Sequence, residues 1–147
     1  MALPVADLER SVGFYASYAA MQVVHRREGV VWLSDRTRPF VIVLIESRAS
    51  IDPLRPVAHL GVACGSREDV DALCRRARDE DVLITGPCDY GPPVGYWAFL
   101  RDPDGHTLEV SHGQEVGLVV SERDPGAEPD AASGPAQRAA GERSPSG

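Results

Sequence analysis

The sequence predicts an α+β fold in which two βαβββ modules form curved mixed sheets around a cavity, followed by a disordered C-terminal tail. Three observations predict it. The order strand, helix, three strands occurs twice, over about residues 1–50 and again over about 56–113. Each half has one amphipathic helix opening on a capping residue. From Ser121 to Gly147 there is no aromatic residue and no Val, Ile, Leu or Met, so that segment buries too little apolar surface to offset its ordering entropy. The domain is accordingly placed at 1–118 and the tail at 119–147.

The elements follow in order. "MALPV" is a short strand. "ADLERSVGFYASYA" is a helix with Asp7 as N-cap and Leu8, Val12, Tyr15 and Ala19 on one face. "MQVVHRR", "GVVWLS" and "PFVIVLIES" are strands, separated by Gly29 and the polar "DRTR" turn. The second half opens with the strand "VAHLGVAC". The helix "SREDVDALCRRARDED" follows, capped by Ser66, with Asp69 three residues on and Val70, Leu73, Cys74 and Ala77 inward. "VLITGPC", "GYWAFL" and "HTLEV" complete it. The last two join through "RDPDG", where Pro103 suits the second turn position and Gly105 admits positive φ.

Composition narrows the function. The net charge of −7 argues against a nucleic-acid partner, which wants a basic face. There is no lysine; every basic side chain is arginine. The three cysteines, Cys64, Cys74 and Cys88, are odd in number and lack CxxC spacing, so reduced thiols are expected. The longest apolar run, "FVIVLI", is far short of the ~20 residues a membrane span needs. A cytoplasmic protein with no membrane partner is expected.

Alternation along "VAHLGVAC" and "HTLEV" puts the large aliphatics under the helices, so His59 and Glu109 look the other way, into the cavity. A histidine and a carboxylate converging there are two legs of a 2-His-1-carboxylate metal site. A divalent metal wants about three protein ligands and an open position. His25 and His106 are expected to be exposed, and His112 lies near a strand end. Alternation requires either Tyr96 or Trp97 to face the cavity. Trp32 is pocket wall, core or dimer interface. The loop "CDYGPPVGYW" is a substrate lid or a plain connector.

The paired modules, with "LPVADLERSVGFY", "AHLGVACGSREDVDAL" and "RDPDGHTLEV", resemble the vicinal oxygen chelate superfamily of glyoxalase I, extradiol dioxygenases, fosfomycin-resistance transferases and bleomycin-resistance proteins. The resemblance covers about residues 1–118. It implies a small-molecule substrate with vicinal oxygens, a homodimer, and a divalent metal (Fe, Mn, Zn, Ni or Co) held by His59, Glu109 and a first-strand histidine. That histidine is absent: it belongs just before "ALPV", and His25 is the first in the chain. The start lies further upstream, or the site is lost and the protein is a metal-free, ligand-sequestering member of the bleomycin-resistance type. A further ligand position of glyoxalase-like members falls on Val43, which cannot ligate, with Glu46 beyond it at the strand end. Trp32, Val43, Tyr96 and Trp97 are the candidate substrate contacts.

Overall fold

The computed structural model describes residues 1–37 and 40–114; the tail expected at 119–147 lies outside them. The repeat read from the sequence is a repeat of topology. The first module is β1 (Ala2–Val5), α1 (Leu8–Ala19), β2 (Gln22–Arg27), β3 (Val30–Ser34) and β4 (Ile42–Glu46). The second is β5 (Leu60–Ala63), α2 (Arg67–Asp79), β6 (Leu83–Asp89), β7 (Tyr96–Arg101) and β8 (Thr107–His112). Each makes a four-stranded mixed sheet of the same order, β1-β4-β3-β2 and β5-β8-β7-β6, with the first strand parallel to the last.

The helices start where their caps dictate. Asp7 accepts from the Arg10 amide and Ser66 from the Asp69 amide. α2 buries Val70, Cys74 and Ala77, and the second sheet buries Leu60, Ala98, Leu100, Leu108 and Val110. Each large aliphatic removed from water in this way stabilises by about 1.5–3 kcal/mol. On α1 the buried stripe is broader than expected. Ser11, Phe14 and Tyr18 join Tyr15 and Ala19, while Leu8 and Val12 are half-buried. All three cysteines are unpaired, and burial raises the pKa of Cys64 and Cys74. Among the described residues no helix is long and apolar enough to cross a membrane.

The "RDPDGH" turn is more than a connector. Asp102 Oδ1 accepts from the Asp104 and His106 amides, and Tyr15 of α1 donates to Asp102 Oδ2 at 2.9 Å. Asp104 accepts from the Ala6 amide at 3.0 Å and from Ser11 Oγ at 3.3 Å. Its carboxylate thereby sits at the positive end of the α1 dipole. The turn of the second module is docked onto the first strand and helix of the first. Burial raises the pKa of Asp102, and burial with the nearby Asp102 charge raises that of Tyr15.

This docking corrects the expectation for His106, which is 2% exposed and not solvated. His25 is exposed as expected. The strand expected from Val57 begins at Leu60. Pro53 and Pro56 have no amide to give a ladder, and a turn closed by Ala58 N–H on the Arg55 carbonyl occupies the approach.

Candidate functional site

His59 is the last residue before β5, and Glu109 lies on β8 opposite Gly61. Their neighbours 60, 62, 108 and 110 turn toward α2, so this pair takes the other face. The two side chains meet: His59 Nε2 is 2.9 Å from Glu109 Oε2. His59 Nδ1 is 2.6 Å from the Pro56 carbonyl oxygen. A carbonyl only accepts, so Nδ1 carries hydrogen and Nε2 is the nitrogen turned to the carboxylate. This is the arrangement in which an outer carbonyl orients a metal-ligating histidine.

Glu109 is 8% exposed. Its second oxygen accepts from Gln114 Nε2 at 2.6 Å, and Gln114 Oε1 accepts from Ser111 Oγ at 3.1 Å. Beside them runs an aromatic ladder. Phe99 pairs with Glu109 across the sheet, and its ring lies 5.0 Å from the His59 ring. Trp97 is 4.6 Å from Phe99, and Tyr90 is 5.7 Å from Trp97. The Trp97 indole N–H is buried and meets no acceptor among the described residues. Opposite the ladder, Gly61 leaves room: an added Cβ there would meet nothing within 4 Å.

The register decides between Tyr96 and Trp97. Trp97 shares its face with Phe99 and Glu109. Tyr96 turns to α2, where its hydroxyl donates to Asp71 at 2.6 Å and Arg67 stacks on its ring. That hydrogen bond pushes the Tyr96 pKa up to about 12. Tyr96 thus faces away from the His59–Glu109 pair. Trp32 and Val43 are adjacent on β3 and β4 of the first module, in register with Ala2. They lie on the face turned from the core, and Trp32 packs on His25 with ring centres 5.0 Å apart. No hydrogen bond or ring contact among the described residues links them to His59 or Glu109. Glu46 is exposed at the end of β4. His112 is half-buried, with Nδ1 3.2 Å from the Cys64 carbonyl.

Phe99, Gln114 and the Pro56 carbonyl escaped the sequence reading. Phe99 was signalled, since it shares parity with Trp97. Gln114 follows the last strand, where no period applies.

The pair and its carbonyl brace fit two ligands of a divalent cation. Among the described residues no third His, Cys, Asp or Glu joins them.

Two βαβββ modules with the same strand order define a class of protein. The chain matches the Glyoxalase/Bleomycin resistance protein/Dioxygenase superfamily over residues 1–110, and it belongs to that superfamily. It is 38% identical over 128 residues to the uncharacterized protein PA2024 of Pseudomonas aeruginosa, covering 80% of this chain and 89% of the other. It is 25% identical over 125 residues to a probable lactoylglutathione lyase of Vibrio cholerae, covering 78% and 88%. Among solved structures, the trypanothione-dependent glyoxalase I of Leishmania major aligns with a TM-score of 0.55 at 27% identity, covering 82% and 89%.

Proposed function

We propose that the chain is a divalent-metal-dependent enzyme, of dioxygenase, lyase or transferase type, acting on a small substrate with vicinal oxygens. The carrying observation is the His59–Glu109 contact at 2.9 Å with Nδ1 already committed to a carbonyl. His59 Nε2 and Glu109 Oε2 are the two ligand atoms. A cation held there supplies Lewis acidity to the substrate's oxygens; Fe, Mn, Zn, Ni and Co all suit these donors. The third protein donor comes from outside the described residues of one chain. Phe99 and Trp97 exclude water on one side of the pair, and Gln114 steadies the free carboxylate oxygen. We further propose that the functional unit is the domain over 1–118 and that it works as a cytoplasmic homodimer. Support for the dimer is the apolar face bearing Ala2, Trp32, Val43 and Ile45, of which Ile45 is 43% exposed.

One observation favours a second reading. Without a third ligand, His59 and Glu109 satisfy each other, and a metal-free protein of the bleomycin-resistance type would sequester an aromatic ligand on the Tyr90–Trp97–Phe99 ladder. Metal titration of the purified chain, beside His59→Ala, decides. Near-stoichiometric Co(II) lost in the variant supports the enzyme. No binding by either protein, with retained affinity for aromatic ligands, supports the binding protein.

A further inference from the structure

We propose that His106 is a positioning residue for His59, acting through the linker between the modules. Its imidazole is almost fully buried and bridges two backbone groups far apart in sequence. The Leu54 N–H donates to Nδ1 at 3.0 Å. A backbone amide only donates, so Nδ1 carries no hydrogen. The ring hydrogen is therefore on Nε2, which donates to the Pro4 carbonyl of β1 at 3.0 Å.

Leu54 is held from both sides, because the Thr107 amide donates to its carbonyl at 2.8 Å. The linker lies against the turn: a Cβ added at Gly105 would meet Pro53 at 3.4 Å, in ordinary contact. From this anchor the chain has little freedom. Pro56 has a fixed φ, and the Ala58 amide closes the turn on the Arg55 carbonyl at 2.7 Å. The turn delivers the Pro56 carbonyl to His59 Nδ1. His106 thus sets the position of the linker that chooses which His59 nitrogen faces Glu109. It also stands immediately before β8, three residues ahead of Glu109. The inference rests on the reading of His59 as a ligand only for its consequence, the metal affinity.

The test compares His106→Leu, which removes both bonds, with His106→Asn, whose carboxamide oxygen takes the place of Nδ1 and still accepts from Leu54. The ¹⁵N shifts of the His59 ring report by NMR, without any metal, whether Nδ1 carries hydrogen. Wild type and His106→Asn should show hydrogen on Nδ1, and His106→Leu an Nδ1 that carries it in only part of the molecules. Co(II) affinity should fall about 10–100-fold in His106→Leu and be largely restored in His106→Asn. An unchanged hydrogen on His59 Nδ1 in His106→Leu, or an Asn variant as impaired as Leu, overturns the proposal. If His106→Leu does not fold, amide exchange at Leu54 carries the test: slow exchange in wild type and His106→Asn supports it, and exchange at the rate of a free linker in wild type overturns it. Wild type that holds the Nδ1–H form yet takes up no Co(II) supports the positioning role while overturning the metal reading.

Discussion

Removing His59 strands a carboxylate. The His59 side chain is 28% exposed and that of Glu109 only 10%. In His59→Ala, the Glu109 carboxylate keeps one hydrogen bond among the described residues, from Gln114. A fully buried pair broken from one side costs about 3–5 kcal/mol; with His59 partly in water, the expected loss is about 2 kcal/mol. Glu109→Gln leaves a neutral acceptor opposite His59 and should cost about 1 kcal/mol. The double variant leaves no charge to strand, so its loss should fall short of the two single losses combined, by about 1 kcal/mol. Urea unfolding at neutral pH in the presence of EDTA measures this, read at constant m-value. Additivity within about 0.4 kcal/mol would show that the contact carries no coupling and refute the reasoning. Repeated with Co(II) at about 100 times its Kd, the wild type alone should gain about 2.7 kcal/mol.

Gly61→Val places a side chain in open space beside Glu109, at a glycine whose φ is not positive. The melting temperature should hold or rise, as replacing a strand glycine lowers unfolded-state entropy by about 0.4–1 kcal/mol. Co(II) or ligand uptake should drop at least about tenfold; unchanged uptake would show that this face is not the site. Gly86→Ala is the opposite case. Its φ is +108°, and the new Cβ would lie 2.8 Å from Ala98 Cα, so a loss of about 3 kcal/mol is expected in the same unfolding assay. Asp102 holds its proton more tightly folded than unfolded, because burial disfavours the anion. Its contribution is therefore full below the ordinary aspartate pKa and is lost as pH rises through the raised one. The stability gap between wild type and Asp102→Asn should be widest in acid and narrow toward neutrality; a gap independent of pH would refute the shift.

Much of this was legible because it is periodic. The doubled βαβββ order, both N-caps and the pairing of His59 with Glu109 follow from spacing and alternation, which act within a few residues. Tyr96 and Trp97 could not be told apart, since the choice needed a strand register that only packing of β7 on β8 fixes. His106 was misread for a related reason. A histidine after "DPDG" looks solvated, and its burial depends on β1 and Leu54, 102 and 52 residues away. Gln114 reaches Glu109 through a backbone reversal at Gly113, where φ is +82°. Glycine permits that reversal without announcing it.

The two sheets share a topology but not a chemistry. The outward face of the first carries Ala2, Pro4, Val43, Ile45 and Trp32, with His25 beside Trp32 and no acid among them. The corresponding face of the second carries Glu109, Ser111, Phe99 and Trp97, with His59 at its margin. The two sheets have equivalent edges, yet the position that pairs with Ala2 holds Val43 where a polar group would be needed for a symmetrical site. Away from its β2 edge, where His25 lies, the first module therefore offers apolar surface, and the second carries the carboxylate. His106 joins them, since its two hydrogen bonds end on β1 of the first module and on the linker that aims His59. A substitution that loosens β1 at Pro4 should be felt at His59 before it is felt at Glu109. Glu109 has its own ladder bonds within β8, and His59 precedes β5 and relies on the linker.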